Sequence, residues 1–83
     1  MSLEKCINDT KIMVGKALAA WPKFNSAHEG YAVLLEEVDE LCDEVKKNQK
    51  NREIELMYKE ASQVAAMAIR FMYEVCNEET IRK

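Results

Sequence analysis

Between positions 61 and 76 the chain has no glycine and no proline, and its only clearly polar residues are Ser62, Gln63, Arg70 and Glu74. Extended toward the N-terminus, the same segment sets Ile54, Met57, Ala61, Val64, Ala68, Phe71 and Val75 at heptad-like spacing. A second apolar set, Ala65, Ile69, Met72 and Cys76, falls on another side. A helix apolar over so much of its circumference has to be buried on more than one side. No stretch reaches the roughly 18 consecutive apolar residues of a membrane span. With 83 residues in all, one small domain with a thin core is what the chain can build. The spacing predicts a long helix over about 52–77. Two partner helices from the same chain cannot cover it, so self-association into a homodimer or homotetramer is expected, completing a four-helix-type bundle.

The rest of the chain supplies those partners. Two glycines and one proline in the whole sequence leave little room for strands or long loops. A first helix is expected over 2–20, where Leu3, Ile7, Thr10, Val14, Ala17 and Trp21 follow an a/d stripe widened by Cys6, Met13 and Leu18. Pro22 ends it, because the residue before a proline is pushed out of the helical region. Ser26-Ala27-His28-Glu29 has the S-x-x-E form of a capping box and opens a second helix running to about 47. Its stripe is Leu34, Val38, Leu41 and Val45, flanked by Tyr31 and Cys42. Its acidic middle and closing Lys46 and Lys47 suit a helix dipole. Positions 48–51 read as the turn, and 78–83 as a charged tail. The prediction is an all-α chain of three helices in a single domain over 1–83.

A net charge of −3 argues against a nucleic acid polymer as partner. Cys6, Cys42 and Cys76 are odd in number, far apart and set among apolar neighbours, the pattern of reduced, buried thiols. With no leader pattern at the N-terminus and no membrane span, a cytoplasmic protein is expected.

The chemistry-bearing feature is acidic. The second helix carries Glu36-Glu37-Val38-Asp39-Glu40 and the third Glu60-Ala61-Ser62-Gln63. Glu37 and Glu40 share a face, as do Glu60 and Gln63. Glu37 is expected at the edge of the buried stripe. If the two helices form an antiparallel hairpin turning near Lys50, Glu37 comes level with Gln63 and Glu40 with Glu60. Three carboxylates and an amide then meet, and the mutual repulsion of half-buried like charges is relieved by a divalent cation. All-oxygen donors favour Mg²⁺ or Mn²⁺. A di-iron bundle would need E-x-x-H ligands, and the sole histidine, His28, follows no such glutamate. The competing reading is a solvated acidic face, with Asp43 paired to Lys46 or Lys47 and Glu55 to Lys59.

The stretch from His28 to Leu41, followed by Glu60-Ala61-Ser62-Gln63-Val64-Ala65-Ala66-Met67-Ala68, resembles the MazG-like nucleotide pyrophosphohydrolases of the all-α NTP pyrophosphatase group. Their signature is E-E-x-x-E, a spacer, then E-x-x-D. Glu36, Glu37 and Glu40 match its first part and Glu60 the start of its second. The resemblance implies hydrolysis of a nucleoside triphosphate to the monophosphate and pyrophosphate, with Mg²⁺ held by Glu37, Glu40 and Glu60 and with Gln63 as the fourth corner. It implies a wall for the nucleobase, for which Trp21 and Phe24 are candidates against core packing at a helix end. It implies cations for the phosphates, for which Lys59 and Arg70 are candidates against solvated or ion-paired roles. Gln63 stands where the family has aspartate, which removes one charge; Glu44, on the same stripe, is a candidate to compensate. Longer relatives continue into a further helix bearing phosphate-contacting groups. A partner subunit would supply these, or the triphosphate is held weakly, or the chain is an inactive relative: a helical oligomer that binds nucleotide or protein.

Overall fold

The computed structural model of the chain describes residues 1–47 and 53–77. Among these it is all-helical: α1 (Leu3–Ala20), α2 (Ala27–Lys46) and α3 (Ile54–Glu74), with no strand. The turn expected at 48–51, the Arg52 start of the third helix and the 78–83 tail lie outside the described residues. None of the described helices is long and apolar enough to cross a membrane.

The helix ends follow local chemistry. The Ser2 hydroxyl accepts from Lys5 N–H at 3.0 Å and caps α1. Trp21, extended at φ −123° and ψ 144°, ends that helix just before Pro22. At α2 the Ser26 hydroxyl accepts from Glu29 N–H at 3.1 Å. The Glu29 carboxylate reaches back to Asn25 N–H at 2.7 Å, so the box closes one residue earlier than the usual return to the cap's own amide. α3 stops at Glu74, three residues short of the expected Asn77. Of the ion pairs expected on helix faces, neither the Asp43 nor the Glu55 pair forms; Lys47 takes Glu44 instead, at 2.9 Å.

α3 is the middle of the fold. α2 runs antiparallel to it, with Gly30 packed on Phe71 at one end and Glu40 meeting Glu60 toward the other. α1 runs parallel to it, with Thr10 at Ser62 and Pro22 at Arg70. α1 and α2 flank α3 without packing on each other. A Cβ at Gly30 would stand 2.8 Å from a Phe71 ring carbon, so only glycine lets α2 approach so closely there.

This layout changes which faces are buried. On α1 the inward row is Cys6, Thr10, Met13 and Ala17, while Leu3, Ile7 and Leu18 of the expected stripe are exposed. On α2 the row is Gly30, Leu34, Glu37, Leu41 and Glu44, with Val38, Val45 and Tyr31 exposed. On α3 the most buried row is Ser62, Ala66, Arg70 and Glu74 together with Met67. These include the very polar residues that interrupt the apolar run. Ile54 and Ala61 of the expected stripe are exposed, and so is Cys76, against the burial that its apolar neighbours predict. The reason is geometric: the face of α3 between its two neighbours is covered whatever its residues, and the opposite face has no partner helix among the described residues.

The apolar core is small, Ala17, Phe24, Ala66 and Met67, with Met13, Val14, Val33, Leu34 and Val75 packed against it. Polar pairs complete the interior. Arg70 Nε donates to Glu74 Oε2 at 2.8 Å, and Arg70 Nη2 donates to Glu74 Oε1 and to the Pro22 carbonyl, each at 3.2 Å. Phe24 N–H donates to Glu74 Oε1 at 2.7 Å, and the guanidinium stacks 4.2 Å from the Phe24 ring centroid. This network ties the α1–α2 connection down across α3. Farther along, Tyr58 O–H donates to Asp9 Oδ2, which also pairs with Lys5.

Candidate metal centre

The hairpin of α2 and α3 brings Glu37, Glu40 and Glu60 together, with one carboxylate oxygen of each within 4.8 Å of the others. The expected level match of Glu40 with Glu60 is therefore present. Glu37 is deeper than an edge position: it belongs to the inward row of α2, between Leu34 and Leu41. Glu60 is half-buried on α3 and Glu40 is exposed at the rim.

Two oxygens decide the character of this cluster. Glu37 Oε2 and Glu60 Oε2 are buried and accept no hydrogen bond. A buried acceptor without a donor costs about 1–3 kcal/mol, more when charged. The protein carries two of them within one carboxylate cluster. Burial, and then the neighbouring Glu40 and Glu60 carboxylates, push the Glu37 carboxyl up to about 7. Burial and Glu40 likewise raise Glu60, opposed by the Lys59 ammonium. Each orphaned oxygen lacks either a proton or a cation. Carboxylate oxygens alone, with no histidine or cysteine among them, are the donor set of a hard divalent ion. The residues present thus fit Mg²⁺ or Mn²⁺.

The sign of the pH effect follows. Between the ordinary value of 4.5 and about 7 the native state keeps a proton on Glu37 that the unfolded chain has released. Without metal, stability therefore falls as pH rises through that window, by about 1–2 kcal/mol after allowance for partial solvent screening. Urea unfolding of chelator-treated protein is expected to show this decline. Glu37→Gln should flatten it, and Mg²⁺ should restore stability at the alkaline end. A wild-type decline unchanged in Glu37→Gln would contradict the assignment.

Beside the cluster a groove of about 560 Å³ runs along α3 between α1 and α2. Glu36, Glu37 and Gln63 line one end, and Trp21, Pro22 and Phe24 the other. Gln63 is half-buried, on the groove side of α3. Trp21 does not pack into the core: the residue is 65% exposed, at the groove's end. Phe24 is 8% exposed and belongs to the core beneath. Lys59 is exposed, outside the groove and near Glu60. Arg70 reaches the groove, but its donors are engaged by Glu74, Pro22 and the Met67 sulfur. Glu44 lies outside the three-carboxylate cluster and is bound to Lys47.

Met13, Lys16 and Met67 also line this groove, and the sequence alone marks none of them as a site residue. The signal for Lys16 was its place on the flank of the Met13–Ala17 row, legible only once the partner of that row is known. Compared with protein-family models, curated proteins and solved structures, the chain matches none.

Proposed function

We propose that this chain is a Mg²⁺-dependent nucleoside triphosphate pyrophosphohydrolase of the MazG-like kind, with Mn²⁺ able to replace Mg²⁺. The observation that carries this reading is the pair of orphaned, buried oxygens on Glu37 and Glu60, converging with Glu40 at the end of an open groove. Glu37, Glu40 and Glu60 would hold the ion, with Gln63 offering a neutral amide oxygen beside them. Bound there, a divalent ion neutralises phosphate oxygens and acidifies water. Water attacks the α-phosphorus, the bond from that phosphorus to the bridging oxygen of the β-phosphate breaks, and pyrophosphate leaves. The chain's own part is positioning. The Arg70–Glu74 network fixes the connection bearing Trp21, and the exposed indole face is available for a nucleobase to stack on.

A homodimer or homotetramer belongs to the same reading. Ile69, Met72 and Tyr73 are 41%, 65% and 67% exposed on α3, away from the buried row. A second copy seated there would complete a four-helix arrangement. Sedimentation at the monomer mass would contradict this.

The neutral corner at Gln63 favours one alternative, a weak or inactive relative that binds nucleotide or protein without turning it over. Pyrophosphate release from dATP, dCTP, dGTP and dTTP with Mg²⁺ separates the two. Turnover of at least one by the wild type, increased in Gln63→Asp, supports the enzyme. No release from any of the four by either protein would overturn it.

A further inference from the structure

Among the described residues that line the groove, two carry positive charge, Lys16 and Arg70. Arg70 is 2% exposed and its guanidinium is fully committed to Glu74, Pro22 and Met67. Lys16 is exposed and makes no hydrogen bond or ion pair among the described residues. It faces a wall that carries Glu36 and Glu37. Among the described residues that line the groove, Lys16 is therefore the one uncommitted cation that an entering anion meets.

The height of Lys16 along α3 decides which part of a ligand it meets. Thr10 sits at Ser62 and Pro22 at Arg70, so α1 in its parallel course brings Lys16 to about the level of Ala66. Glu37 and Gln63 are one turn below, roughly 4–5 Å at the helical rise. Trp21 is farther along in the same direction, at the groove's other end. The order along the groove is carboxylates, Lys16, indole. The apolar walls of Met13, Met67 and Trp21 suit a nucleoside, whereas a pyrophosphate leaving group belongs on the solvent side, past the exposed Glu40.

We propose that Lys16 binds the α-phosphate of the nucleotide, the phosphate that stays with the nucleoside after cleavage. This rests on the pyrophosphohydrolase reading above and adds to it the orientation of the substrate: base toward Trp21, β- and γ-phosphates away from Lys16. The ammonium is a point charge on a flexible stem, able to follow a phosphate as its geometry changes.

The test is equilibrium titration in Mg²⁺ of wild type, Lys16→Gln and Lys16→Arg with dAMP, dCMP, dGMP and dTMP and, separately, with inorganic pyrophosphate. Turnover of the four triphosphates is measured alongside. Lys16 is exposed, so its variants should keep the wild-type helix content, checked by circular dichroism. Lys16→Gln is expected to weaken the best-bound monophosphate about tenfold or more, the loss of one charge-assisted hydrogen bond. Pyrophosphate binding should stay unchanged, and Lys16→Arg should recover most of the loss. Turnover by the wild type with monophosphate affinity unaltered in Lys16→Gln overturns the role of Lys16 alone. Equal weakening toward monophosphate and pyrophosphate also overturns it, since that reports general charge and not position. A wild type that neither turns over nor binds any of these ligands overturns the enzyme reading and this inference together.

Discussion

Replacing Arg70 with alanine is expected to destabilise the fold by about 3–5 kcal/mol, the usual consequence of breaking a buried ion pair from one side. A domain of this size has a total of roughly 4–12 kcal/mol to lose. Glu74 would remain buried, with Phe24 N–H as its single donor. Burial alone would raise the Glu74 carboxyl, but hydrogen bonds from Arg70 and Phe24 and the nearby cations hold it below its ordinary value. The pair thus supports the fold at neutral pH and loses that support as pH falls through the depressed value. Arg70→Ala also removes the cation stacked on Phe24 and the donor to the Pro22 carbonyl. Urea unfolding should show Arg70→Ala and Glu74→Ala each far below wild type. The double variant Arg70→Met/Glu74→Leu should be more stable than either single one, because no unpaired charge is left behind. Near-additive losses in the double variant would show that the two side chains do not act as a pair.

Glu37→Gln is expected to separate activity from stability. The substitution keeps the shape of the side chain and removes one charge from the cluster, so turnover of the preferred triphosphate should drop on the order of 10³-fold in kcat/KM. That corresponds to about 4 kcal/mol of transition-state stabilisation. Without metal and above pH about 7, the same variant should be more stable than wild type, because repulsion among Glu37, Glu40 and Glu60 is relieved. Opposite signs in the two assays identify a carboxylate held at a functional site against its own stability. If both fell together, Glu37 would be a structural residue.

Much of this arrangement is legible in the sequence, and the illegible part has a physical cause. Pro22 and the Ser26–Glu29 pair mark helix ends through local sterics and capping, which need no tertiary context. The meeting of Glu40 with Glu60 follows from hairpin register, which depends only on where the chain turns. Burial is harder to read. Hydrophobic spacing points to Ile54 and Ala61 on α3, yet the covered face carries Ser62, which meets the Thr10 hydroxyl of α1, and Arg70 and Glu74, which satisfy each other and the crossing connection. Glu37 sits deeper than its apolar neighbours suggest, since it belongs to the row of α2 that packs on α3. Trp21 looks like a core residue by type and stands exposed because the connection turns there. Lys16 flanks the Met13–Ala17 row, and only the groove gives that place a role.

The claim beneath the functional reading is that Glu37, Glu40 and Glu60 form a divalent-cation site. Calorimetric titration of chelator-treated protein with Mg²⁺ and Mn²⁺ at a pH above about 7, in wild type and in Glu37→Gln, tests it most directly. Saturable binding to the wild type, and its loss in Glu37→Gln, are expected. Absence of binding to the wild type, or equal binding to both proteins, would contradict it.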